Sequence, residues 1–266
     1  LLEFEYLVRI IFIFLFLNSI FSLLNDITNK KNFVLLLAIV YLSTDFFVLS
    51  GYQEYLIFSF LCFSARLIYL LKEEDLNLNL FIILILLTLN LIIWSKQEGI
   101  FVTLLLLLTI IFFIKMKSLK KLLFLIIYSF LILFHILLEI KFKGSYGFHE
   151  PVSSGLIERL LKFDELFNDI VFITQHLIIA LIQRPIFLTS IFISIYLIFT
   201  KRNFMKEKAY FFSFLFFIIM FIYAIFLHTR FPLESMLGPV MDRLILQFSG
   251  FFIIIFLYLI KYEKKD

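Results

Sequence analysis

A single cysteine, Cys62, stands in the whole chain, which excludes an internal disulfide and any metal site built on paired thiols. Charge is also sparse: Asp, Glu, Lys and Arg together make up 17% of the residues, too little for an ordinary soluble protein of this length. Only seven glycines occur, and no run of them forms a phosphate-cradling loop. No His, Cys, Asp or Glu cluster has metal-ligand spacing, and no nucleophile lies beside a base in sequence. There is no internal repeat and no matched pair of Gly- or Pro-broken spans, the pattern of many transporters. The net charge of +4 is modest and is read loop by loop, not as a nucleic-acid signal.

What fills the chain instead is hydrocarbon. Hydrophobic residues make up 63% of the 266, Phe alone occurs 39 times, and the mean hydropathy is +1.06. This composition belongs to a polytopic membrane protein, an all-α transmembrane helix bundle. Crossing the hydrocarbon core takes about 17–25 apolar residues. About nine such spans are read, at 7–24, 33–49, 55–71, 78–94, 100–114, 122–140, 186–200, 209–227 and 244–260. Over 156–169, Leu156, Ile157, Leu160, Leu161, Leu166 and Phe167 alternate with charged and amide residues. That pattern is an amphipathic helix suited to the bilayer interface, or a plain loop helix packed on neighbouring loops. The segment 170–182 either crosses as a tenth span or lies flat as the end of that surface helix.

The flat arrangement makes the basic loops agree. It places 25–32, 72–79, 115–121, 200–208 and the tail 261–266 on the cytoplasmic side, with 14 Lys and Arg in 38 residues. The opposite segments 1–6, 44–54, 95–99, 141–169 and 228–243 hold 7 in 67 residues. Positive loops face the cytoplasm, so residue 1 falls outside, the C-terminus inside, and the polar chemistry collects on the outer face. Chemistry there is cut off from cytosolic ATP and nucleotide sugars and requires a donor that has crossed the membrane, such as a lipid-linked one.

Four outward clusters carry that polarity: Thr44-Asp45 with Gly51-Tyr52-Gln53-Glu54, then Ser95-Lys96-Gln97-Glu98-Gly99, then an adaptable Gly- and Pro-bearing loop over 141–155 containing His149, and finally 228–247 with Arg230, Asp242, Arg243 and Gln247. Each has a bland alternative. Asp45 and Glu54 are suited to capping helix starts, Lys96 and Glu98 to punctuating a tight loop, His149 to standing in solvent, and Asp242-Arg243 to forming a local ion pair. The functional alternative is that Lys96, Arg230 and Arg243 supply the cations a phosphate or diphosphate head group needs. His135 and Glu139 fall at i and i+4, so they share one face near the outer end of their span. Arg66 is expected to snorkel to the cytoplasmic interface, and Cys62 to be a small lipid- or helix-facing residue.

The order Gly51-Tyr52-Gln53-Glu54, span, acidic turn, span, Ser95-Lys96-Gln97-Glu98-Gly99 resembles a pattern of bacterial glycosyltransferases of the GT-C superfamily, approximately G-Y-x-D, two spans, T-K-x-E-G. Met241-Asp242-Arg243-Leu244-Ile245-Leu246-Gln247 is similar to their segment before the final span. The likeness covers about residues 45–260; Glu54, Ser95 and Met241 depart from the usual Asp, Thr and Ser. The resemblance implies an integral inner-membrane enzyme, mannosyltransferase-like, that moves a sugar from a polyprenyl-phosphate carrier to a glycan, lipid or protein acceptor outside the cytoplasm. It implies a lipid-linked donor as co-substrate, no metal and no nucleic-acid partner. Lys96, Glu98, Arg230 and Arg243 would meet the donor; Tyr52, Glu54, His149, Asp242 and Gln247 would line the acceptor cleft. The family's catalytic carboxylate lies in a first outer loop that would precede Leu1. Residues 1–266 are thus expected as one transferase-like domain without its first span and loop, binding lipid phosphate but transferring nothing alone. The alternatives are an O-antigen-type polymerase or ligase, whose active residues would fall in 141–169 or 228–243, and a non-enzymatic transporter or flippase subunit.

Overall fold

A computed structural model describes residues 54–73, 76–96, 98–143, 163–183, 192, 195, 196, 198–200, 209–228 and 233–263. Among the described residues, the regular elements are α-helices throughout: α1 (Glu54–Glu73), α2 (Leu78–Ser95), α3 (Gly99–Phe113), α4 (Ser118–Lys143), α5 (Phe163–Ile182), α6 (Ala209–His228) and α7 (Leu233–Glu263). Asn77 starts α2 as a side-chain cap, its Oδ1 accepting from the Asn79 backbone N–H at 2.8 Å. Within the apolar runs, Ser64, Thr88, Ser95 and Thr109 donate their hydroxyls to the carbonyl four residues earlier. This local pairing lets small polar residues sit in a helix that offers them no water.

Among the described residues two helices, α2 and α4 over Ser118–Phe142, are long and apolar enough to cross a membrane. Shorter apolar stretches occur at Leu56–Leu71, Gly99–Phe112, Leu166–Ile182 and Phe212–Leu227. Their outward faces are not polar. On α2 the exposed stripe runs Leu80, Ile83, Leu87, Leu91 and Trp94; on α4 it runs Leu119, Leu122, Ile126, Phe130, Leu133, Leu137 and Ile140. Steps of three and four residues make each a continuous apolar ridge. Water penalises such a surface by about 25 cal/mol per Å², and hydrocarbon does not.

The span edges expected at 55–71, 78–94, 100–114 and 209–227 agree with α1, α2, α3 and α6 to within two residues. Three expectations need correction. The outward segment 228–243 is helical from Leu233, so Asp242 and Arg243 lie inside the 31-residue α7 and not in a loop. Helix α4 carries on through Lys141–Lys143, so the adaptable loop does not begin at 141; charged side chains at a helix end do not interrupt its backbone bonds. Arg66 does not snorkel: it is buried, with its guanidinium carbon 5.0 Å from the centre of the Tyr69 ring, where the ring face holds the cation in place of water. Segment 170–182 belongs to one helix with 163–169. The spans 7–24 and 33–49, the cluster 44–53, the loop 144–155 and the helix portion 156–162 lie outside the described residues, as do most of 186–200 and the basic loop 201–208.

The chain divides into two compact units. One contains α1, α2, the turn to Gly99 and α7 from Leu246 onward. Its core includes Phe58, Phe81, Phe248, Phe251 and Phe252, and also Cys62, which faces helices. Here α7 presses against α1 at Gly250, where an added Cβ would lie 2.0 Å from the Phe58 carbonyl oxygen. The other unit contains α3 to α6 and the first part of α7 to Ile245. Inside it the hydroxyls of Thr103 and Tyr128 meet at 2.9 Å in a buried tie, and those of Thr174 and Tyr223 join α5 to α6.

Candidate functional site

The polar centre of the first unit is built on a turn. Helix α2 ends at Ser95, and Lys96 continues with extended backbone, φ −165° and ψ 155°. The Gly99 N–H then donates to the Lys96 carbonyl at 2.9 Å, closing a four-residue turn that delivers the chain into α3. Gly99 is required there by space: a Cβ would sit 2.1 Å from the Ile92 carbonyl oxygen. This geometry throws the side chains of Lys96 and Glu98 to the end of the α1–α2 pair.

Glu54, 42 residues earlier, completes the group. The Lys96 Nζ donates to Glu54 Oε1 at 3.0 Å, and Glu98 Oε2 lies 3.1 Å from the same nitrogen. The Glu98 contact is an ion pair by distance, without hydrogen-bond alignment. Side-chain exposure falls from 38% at Glu98 through 19% at Lys96 to 2% at Glu54, so the group runs from surface to interior. Helix ends reinforce it. Glu54 occupies the first turn of α1 and Glu98 directly precedes α3, where the positive N-terminal ends favour carboxylates. Lys96 caps the negative end of α2. With all three ionised the group carries a formal charge of −1. Lys96 is thus a cation already bracketed by carboxylates, where the sequence left open both a phosphate-binding charge and the punctuation of a tight loop.

Beside the group, Trp94 is about half exposed, its indole N–H donating to Asn90 Oδ1 at 3.2 Å. Tryptophan with one wet and one apolar side is suited to a membrane–water boundary. Within the same unit, Gln247 is wholly buried, and neither its Oε1 nor its Nε2 has a hydrogen-bond partner.

The structure therefore brings together Glu54, Lys96 and Glu98, places Gln247 in the same unit, and leaves Asp242 and Arg243 exposed on α7 in the other. Tyr52, His149 and Arg230 lie outside the described residues. His135 and Glu139 do share a face of α4, with Nε2 and Oε1 3.9 Å apart and both side chains largely buried. Sequence reasoning missed three features: the Glu54–Lys96 bond, the tight approach at Gly99, and the α1–α7 contact. A signal existed for the last, since a lone glycine in an apolar span marks close helix approach. No metal-binding group of three or more His, Cys, Asp or Glu occurs among the described residues. Comparison with family models, curated proteins and solved structures finds no match to this chain.

Proposed function

We propose that this chain is a multi-pass integral membrane glycosyltransferase, transferring a sugar from a polyprenyl-phosphate carrier to an acceptor outside the cytoplasm. The observation that supports it best is the convergence of Glu54, Lys96 and Glu98. These are the acidic and basic residues of the first two of the three segments that resemble the GT-C pattern, and they meet at one end of a helix pair, two residues along the chain from the half-exposed Trp94. The asymmetric loop charges put that end on the outer side, where a lipid-linked donor is the accessible kind.

In this reading the three groups divide the work. Glu54, buried and bonded to Lys96, fixes the ammonium. Lys96 in turn holds Glu98, the most exposed of the three, in place to accept hydroxyl protons from a sugar. As the polyprenyl phosphate leaves, negative charge develops on its oxygens, and a cation positioned beforehand lowers the barrier without reorganising. Beyond its bond to Glu54, the Lys96 ammonium has two further N–H donors for this. Arg230 and Arg243 remain phosphate-binding candidates from the sequence pattern alone. The proton of the acceptor hydroxyl goes to a carboxylate base as that oxygen attacks the anomeric carbon and inverts it.

The test is sugar transfer from radiolabelled polyprenyl-phosphate hexose to membrane glycans and lipids, using the full-length protein in proteoliposomes. Transfer should occur with wild type and fall by about 100-fold or more in Lys96→Met, the range for losing a preorganised charge. Absence of both transfer and donor binding in wild type would remove this reading and favour a transporter or polymerase.

A further inference from the structure

Gln247 poses a separate question. It is 0% exposed, and both polar atoms of its amide lack a hydrogen-bond partner. Buried amides in folded proteins are almost always paired, so a side chain left with one acceptor and two donors unmet calls for a specific partner. A packing role does not explain it, because Leu or Met fills the same volume without unmet polar atoms.

Its place in the fold indicates the partner. Gln247 lies three residues before Gly250, so the two stand on neighbouring turns of one face of α7. Gly250 is where α7 meets the backbone of α1 at Phe58. Glu54 lies four residues before Phe58, one turn along α1, and carries the ion-paired group to Lys96. In the topology read from the loop charges, both 55–71 and 244–260 run inward from the outer face, so in that reading the two helices are parallel. One turn back from the contact on each then leads to the same level, that of Glu54 on α1 and Gln247 on α7.

We infer that Gln247, which the resemblance assigns to the acceptor cleft, is instead a specificity-determining residue that reads the hydroxyl groups of the donor's sugar at the level of the Glu54–Lys96–Glu98 group. The inference rests on the transferase reading above. An amide suits this role because its oxygen accepts and its NH2 donates, matching hydroxyls that do both. It is also neutral and adds nothing to the phosphate attraction, so its contribution concerns the sugar and not the lipid phosphate.

The experiment measures binding of two probes to wild-type protein in nanodiscs: polyprenyl-phosphate hexose and the same polyprenyl phosphate without sugar. Gln247→Leu should weaken the sugar-bearing lipid by about 10-fold or more, the loss expected when a buried hydrogen bond to a ligand is removed. It should leave the bare lipid unchanged. Thermal unfolding should show Gln247→Leu at least as stable as wild type, since an unmet amide has been replaced by hydrocarbon. Gln247→Met serves as a second variant of similar shape and should give the same pattern. Equal affinity of wild type and both variants for the sugar-bearing lipid would overturn the role of Gln247 alone. Failure of wild type to bind either probe would overturn the transferase reading together with it.

Discussion

Glu54 and Lys96 form a buried bond whose removal is asymmetric in its effect. Deleting one partner strands the other charge, and for buried pairs this destabilises by about 3–5 kcal/mol. Lys96 retains some exposure, so Glu54→Leu, which strands the lysine, is expected near the lower end, about 3 kcal/mol. The double variant Glu54→Leu/Lys96→Met should recover most of that loss; unfolding in detergent micelles measures both. Space decides the glycines more sharply. Gly99→Ala and Gly250→Ala each place a methyl group within 2.1 Å of a backbone oxygen, so both should fail to reach the native fold, seen as loss of the monodisperse peak on size exclusion. Gly238→Ala meets nothing within 4 Å in the interior of α7 and should be neutral or stabilise by about 0.5–1 kcal/mol.

Helices formed where long apolar runs were legible, and their interior edges at α2 and α3 lie within a residue or so of the hydropathy boundaries. The misreading of α7 has a local cause. Gly238, Pro239 and the charges at Asp242 and Arg243 are loop signals in water, but a helix that joins an apolar span continues through them because its backbone bonds are formed internally. Of the candidate site, the segment around Lys96 was legible from charge standing between two apolar runs. Its partner Glu54 was legible only as a helix start, because a contact over 42 residues leaves no local periodicity. The same limit hid the tie between α3 and α4. Thr103 and Tyr128 are 25 residues apart, and each hydroxyl alone is unremarkable in a span. Tyr128→Phe removes that bond while Thr103 keeps its bond to the Ile100 carbonyl, so the expected loss is about 1 kcal/mol, read as a lowered unfolding midpoint.

At the scale of the whole molecule, α2 and α4 are long and apolar enough among the described residues to cross a membrane, and in the proposed arrangement the Lys96 end faces outward, as the basic-loop asymmetry predicts. Cys62 is fully buried, so the natural chain presents no reactive thiol to an impermeant maleimide among its described residues. Single cysteines can therefore report sidedness. Asp242→Cys in intact cells should react with the impermeant reagent, and Lys117→Cys should react only after permeabilisation; the reverse pattern would turn the site toward the cytoplasm and remove the lipid-linked donor argument. The function itself is tested most directly by donor affinity. Binding of polyprenyl-phosphate hexose is measured in nanodiscs for wild type, Lys96→Met and Lys117→Met, the last a lysine in the connection between α3 and α4. The account predicts binding to wild type and Lys117→Met, and at least a 10-fold loss for Lys96→Met. Equal binding by all three, or no binding by wild type, would contradict it.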